Sequence, residues 1–216
     1  KQNNQIIPHR MNSLDYGLMW LSQVKYSRAP LSQSAFAQIP QYMTKSMPLS
    51  RKKLILDLDE TLIASTNIKP FYYDFSFEVL DIVTYVTKRP HLEYFLTEMS
   101  QYFDLILFTA GVKEYVDEIE KKIPSFKHFQ QKFYRDSCEE KNSPMLYYLK
   151  DIQKLGLGDL KDTVFIDNAQ YQHTLHPRNG ILCPDFVGDL QDRYLIQVIP
   201  KLKELARAQD VRLAIK

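Results

Sequence analysis

An apolar run, Lys53-Leu54-Ile55-Leu56, leads directly into two carboxylates, Asp57 and Asp59, within Asp57-Leu58-Asp59-Glu60-Thr61-Leu62. A short run of this kind reads as a buried strand. In open parallel sheets, ligands gather outside the carboxyl ends of the strands, so the acidic pair sits where chemistry is expected. Two later segments repeat the pattern: Leu105-Ile106-Leu107-Phe108 ends in Thr109-Ala110-Gly111, and Thr163-Val164-Phe165-Ile166 ends in Asp167-Asn168. Apolar strands need cover on both sides, which predicts an α/β fold with a parallel sheet and helices on both faces.

The segments between the strands supply that cover. Two aromatic and β-branched runs, Phe71 to Phe77 and Val83 to Val86, predict a short β-hairpin inserted near residues 71–86. Leu92, Phe95, Leu96 and Met99 recur at helical spacing after Pro90, and Val112, Val116 and Ile119 do so after Thr109. Tyr148, Leu149, Ile152 and Leu155 predict a helix that carries Lys150 and Asp151, and Leu190 to Leu205 one or two terminal helices. Residues 1–50, rich in Gln, Asn, Ser and Pro, read as an N-terminal arm, partly ordered or with a short helix after Ser13. Residues 51–216 read as the folded domain.

With 216 residues the chain suits one globular domain, and its balance of 28 basic against 26 acidic side chains leaves a net charge of +2. That is too weak a field to imply direct nucleic-acid binding. Cys138 and Cys183 lack metal-ligand spacing, and a reducing compartment, nuclear or cytoplasmic, is the expectation. No segment is apolar enough for a membrane span. A chain beginning with Lys reads as a fragment or processed product, and a monomer is expected.

Asp57 and Asp59 are two residues apart, so strand geometry points both side chains the same way. Paired carboxylates repel unless a cation neutralises them or one keeps a proton. Both remedies serve phosphoryl transfer. In such a transfer Asp57 is the candidate to attack phosphorus, and Asp59 to protonate the leaving alkoxide and then take a proton from water; the plainer reading of the pair is a strand end that faces solvent. Magnesium would screen the anionic nucleophile from the anionic phosphate.

These residues resemble the DxDxT motif of the haloacid-dehalogenase-like superfamily, specifically the FCP- and SCP-type small C-terminal-domain phosphatases. The resemblance runs from about Lys53 to Leu205. It includes Lys88-Arg89-Pro90, Leu107-Phe108-Thr109-Ala110, Phe133-Tyr134-Arg135-Asp136-Ser137-Cys138, Tyr148-Leu149-Lys150-Asp151 and Asp167-Asn168. It implies a Rossmann-like sheet, a phosphorylated Asp57, and Asp59 as general acid and base whose main-chain carbonyl also binds Mg2+. Thr109 and Lys150 become phosphate ligands, with Lys150 also steadying the nucleophile; Asp57, Asp59, Asp167 and Asn168 become the metal shell. Arg135 resembles the arginine beside the phosphate, and Thr61 supports the nucleophile loop. The substrate implied is phosphoserine or phosphothreonine in protein, typically the repeat tail of RNA polymerase II, recognised partly by the inserted hairpin.

Each residue also has a plainer use. Thr109 could cap the following helix, Lys150 could face solvent, Asp167-Asn168 could end a strand in a turn, and Arg135 could form a surface ion pair. Relatives commonly continue the last motif with Ser-Pro, where this chain has Ala169-Gln170. The alternatives are a catalytically silent docking protein, or a small-molecule phosphatase or phosphotransferase of the same superfamily.

Overall fold

The structure is a computed structural model that describes residues 51–79, 81–142 and 145–215. The arm expected over residues 1–50, with its short helix, lies outside the described residues. In chain order the elements are β1 (Lys53–Leu56), β2 (Ile63–Thr66), β3 (Phe75–Val79), β4 (Ile82–Lys88), α1 (Leu92–Met99), β5 (Asp104–Phe108) and α2 (Lys113–Glu120). There follow β6 (Phe129–Phe133), β7 (Glu139–Asn142), β8 (Leu146–Leu149), β9 (Thr163–Asp167), β10 (Gly180–Leu182), α3 (Tyr194–Arg207) and α4 (Val211–Ala214).

The main sheet is parallel, in the order β10-β9-β1-β5-β6. β1 lies at its centre, with Leu54 opposite both Leu105 and Val164. Alternate residues divide between the faces. Leu54, Leu56, Leu105, Leu107, Val164 and Ile166 join one core with Phe95 of α1, Val116 of α2 and Leu202 of α3. Ile55, Ile106, Phe108 and Phe165 join a second core with Ile152, against which Leu155, Leu157 and Leu160 pack. Each such fully buried side chain contributes about 1.5–3 kcal/mol. The expected α/β architecture, a parallel sheet flanked by helices with a short antiparallel insert, is what the structure shows, with α1 to α4 on one face and the turns after β8 covering the other.

Three details differ from expectation. The insert is a three-stranded antiparallel sheet, β2-β4-β3, because Ile63–Thr66 pairs along β4. Its first long strand starts at Phe75, since Phe71 stands fully exposed next to Pro70, and Asp81 turns the hairpin at φ 61°. The helix expected to carry Lys150 is absent. Leu146–Leu149 instead forms β8, antiparallel to β7, and irregular turns follow, with Gly156 and Gly158 at φ 67° and 101°. Tyr147 and Tyr148 suit a strand, and two left-handed glycines stop a helix, so helical spacing of the apolar positions misleads here. Edge strands β6 and β10 are not legible in advance: Phe129-Gln130-Gln131-Lys132-Phe133 lacks an apolar run, and β10 has three residues.

Among the described residues no helix is long and apolar enough to cross a membrane.

Candidate active site

The carboxyl ends of β1, β5 and β9 open into a cavity of about 720 Å3, lined by Asp57, Asp59, Thr109, Arg135, Lys150, Asp167 and Asn168 among others. Asp57 continues the ladder beyond β1, its N–H donating to Ile166 O at 3.0 Å. The chain then folds sharply: Leu58 O accepts from the amides of Thr61, Leu62 and Ile63, and Glu60 takes a left-handed φ of 59°. This turn brings Asp59 back over the cavity.

Lys150, expected on a helix, instead follows strand β8 and is buried, with 2% of its surface exposed. Its ammonium donates to Asp57 Oδ1 and, at 2.7 Å, to Asp167 Oδ2. Burial alone would lower the lysine's proton affinity, but the two carboxylates outweigh it and push the affinity up, so the ammonium stays charged. Asp167 shifts upward, first through burial and then through the charge of Asp57. Its Oδ1 accepts from Ala169 N at 2.8 Å. Strand ends far apart in sequence thus share one ammonium, and two buried negative charges face one positive charge.

Asp59 is half-buried and accepts two hydroxyls on Oδ1, from Tyr115 at 2.5 Å and Ser65 at 2.9 Å. Burial raises its pKa above the usual carboxylate range, the Tyr115 bond pulls the other way, and Asp57 adds to the rise. A carboxyl in this setting keeps a proton more readily than a solvated one. Ser65 and Tyr115 escape sequence reasoning, because a serine in a strand and a tyrosine in an amphipathic helix carry no local signal.

Thr109 is buried, and its Oγ1 accepts from Gly111 N at 2.9 Å. It does not cap α2, whose N-cap residue is Val112, with no side-chain cap. Arg135 is exposed; its Nε donates to Ala110 O at 2.8 Å and its guanidinium lies 4.9 Å from the Tyr148 ring centroid. No ion pair engages it among the described residues. Thr61 is buried under the loop, donating to Asn168 Oδ1 at 3.3 Å. Asn168 Nδ2 in turn donates to Glu60 Oε2 and Asp185 Oδ1.

The aromatic residues of the inserted hairpin do not line the cavity. Phe75 and Phe77 are half-buried and pack against the main core, and Val79, Ile82 and Thr84 of the insert line the cavity instead. Cys138 is half-buried, and burial pushes its thiol up to about 11, which suits a packing role rather than a nucleophile. Arg89 lies outside the cavity lining and is 1% exposed. It forms a two-pronged pair with Asp192 at 2.9 and 2.8 Å and donates to Thr61 O at 3.0 Å.

The model of NLI interacting factor-like phosphatases matches residues 52–212. A probable C-terminal domain small phosphatase of Dictyostelium discoideum is 33% identical over 169 residues, covering 76% of this chain and 54% of that protein. The human carboxy-terminal domain RNA polymerase II polypeptide A small phosphatase 2 is 32% identical over 162 residues, covering 73% of this chain and 58% of that protein. The chain therefore spans little more than half the length of these relatives. A solved structure of Fcp1, an essential RNA polymerase II CTD phosphatase, superposes with a TM-score of 0.50 at 26% identity, over 72% of this chain and 49% of that one. The chain belongs to the NLI interacting factor-like phosphatases, within the haloacid-dehalogenase-like superfamily.

Proposed function

We propose that this domain is a Mg2+-dependent protein serine/threonine phosphatase that works through an aspartyl-phosphate on Asp57. The observation that carries this reading is the buried ammonium of Lys150 held between Asp57 and Asp167. A buried charge is costly unless paired, and two carboxylates for one ammonium leave an excess negative charge at the cavity floor. The donors there are hard oxygens: the Asp57 and Asp167 carboxylates, the Asn168 side chain and the Asp59 main-chain carbonyl. Among the described residues no group of three His, Cys, Asp or Glu side chains is placed to hold a metal ion by itself. These oxygens would hold Mg2+, which takes one or two carboxylates and keeps several waters. When bound, Mg2+ supplies positive charge that screens the phosphate from the carboxylates.

The remaining steps fall to the chain's own residues. Lys150 occupies Asp57 Oδ1, and no donor reaches Oδ2 among the described residues, so Oδ2 attacks phosphorus. The phosphorus–oxygen bond to the serine or threonine breaks as Asp59 delivers its proton to the departing alkoxide. The ionised Asp59 then takes a proton from water as that water attacks the aspartyl-phosphate, which releases inorganic phosphate and restores Asp57. Thr109 spends an acceptor on Gly111 N and keeps its own hydrogen to donate to a phosphate oxygen, and the Arg135 guanidinium, which has no ion pair among the described residues, adds further donors. Thr61 steadies the loop through Asn168.

Phosphoserine or phosphothreonine in protein is the substrate class, with the aliphatic wall of Val79 and Ile82 beside the peptide chain. The names of its relatives make the RNA polymerase II carboxy-terminal domain the first substrate to try. Hydrolysis of phosphoserine and phosphothreonine peptides by wild type and Asp57→Asn, with and without Mg2+, tests the reading. Turnover that needs both Asp57 and the cation is expected. Its absence across a peptide panel would favour a silent docking domain.

A further inference from the structure

Lys150 lies outside helix and strand, yet its ammonium must sit between two fixed carboxylates. Its side chain has four rotatable carbons, so aim depends on how firmly its backbone is held. The restraint comes from Gln172, in the turn Gln170–His173 just after Asp167 and Asn168. The Gln172 side chain is 3% exposed; Oε1 accepts from Lys150 N at 2.8 Å and Nε2 donates to Tyr148 O at 2.8 Å. The amide thus acts as the missing peptide of a neighbouring strand, gripping the chain on both sides of Leu149. Gln172 N donates to Ala169 O at 2.9 Å, and Ala169 N donates to Asp167, so the turn that grips Lys150 also carries one of its two ion partners.

We propose that Gln172 is the positioning residue of the site: its amide sets the backbone of Lys150 so that the ammonium meets Asp57 and Asp167 together. This rests on the reading of Lys150 as a participant in phosphoryl transfer. A misplacement of about 1 Å costs up to roughly 100-fold in rate. Gln172→Met keeps the volume and removes both hydrogen bonds. It lowers kcat about 10- to 100-fold and leaves KM within about 3-fold, since the substrate body binds elsewhere. In a Lys150→Ala background the same change has little further effect, within about 2-fold, because the two residues act as one unit.

A second measurement needs no turnover. In protein labelled with 15N-lysine, the Lys150 ammonium gives a slowly exchanging signal, assigned by its loss in Lys150→Arg. Gln172→Met, shown to be folded by its urea transition, broadens that signal or moves it toward those of exposed lysines. An unchanged ammonium signal in folded Gln172→Met overturns the proposal, as does an equal fall in kcat in both backgrounds. If the wild type hydrolyses no phosphopeptide, the catalytic reading fails and the ammonium signal alone decides whether Gln172 positions Lys150.

Discussion

Tyr115 donates its phenolic hydrogen to Asp59 Oδ1 across 2.5 Å, tying helix α2 to the second carboxylate of the acidic run. Burial raises the proton affinity of Asp59, and the Tyr115 bond, which favours the charged form, holds that rise in check. Tyr115→Phe removes the check. The limb of the kcat/KM profile that reports Asp59 then moves to higher pH, and kcat falls about 10-fold as the carboxyl loses its fixed orientation. A pH–rate profile of both proteins measures this, and coincident limbs would exclude a role for Tyr115 in tuning Asp59.

Arg89 and Asp192 form a two-pronged pair whose arginine side is buried. Removing one partner of a buried pair costs about 3–5 kcal/mol, so Arg89→Met lowers the urea midpoint markedly. Desolvation alone would raise the pKa of Asp192, but the bonds from Arg89 and from Tyr194 N outweigh it and hold the carboxyl below its usual range. A depressed folded pKa gives stability that is present above the unfolded value and lost as pH falls through the folded one. Wild type therefore loses this contribution below about pH 4, and Arg89→Met shows a flatter stability curve there. Parallel curves would contradict the assignment.

Gly180 in β10 faces the ring of His173, and a Cβ added there would sit 2.1 Å from His173 Nδ1. The ring cannot easily retreat, because Nε2 is hydrogen-bonded to Asp167 O at 3.0 Å. Gly180→Ala therefore destabilises by about 1–3 kcal/mol through overpacking. Thermal unfolding checks this, and an unchanged Tm would show that the ring moves freely.

Thr109→Val removes a buried hydroxyl that faces the cavity and leaves Gly111 N without its acceptor. The expected result is a fall in kcat/KM of about 10- to 100-fold on a phosphopeptide, mostly from lost transition-state contact. A change confined to stability would reduce Thr109 to a turn residue.

The parts of the fold legible in the sequence are those in which neighbouring residues carry the signal. Leu54–Leu56, Leu105–Phe108 and Val164–Ile166 are apolar on both faces and can only be central strands, and the polar residues that follow them meet at one cavity. Lys150 is the instructive case. Family resemblance singles it out, while local spacing assigns it to a helix; the strand pairing of Leu146–Leu149 with Glu139–Asn142 overrides that spacing. Tyr115 and Gln172 leave no trace in advance, since each acts on a residue distant in the chain, Asp59 or the backbone of Tyr148 and Lys150, while Ser65, six residues from Asp59, reaches it only through the sharp turn after Leu58. Likewise Arg89 reads as an ordinary arginine until the fold buries it against Asp192.

In the proposed mechanism phosphate passes through a covalent bond to Asp57. Acid-quenched mass spectrometry of the protein mixed with a phosphoserine peptide and Mg2+ should map a phosphoryl group to the fragment containing Asp57, and Asp57→Asn should show none. Peptide turnover in which that fragment never carries phosphate, or in which Asp57→Asn retains the wild-type rate, would contradict it.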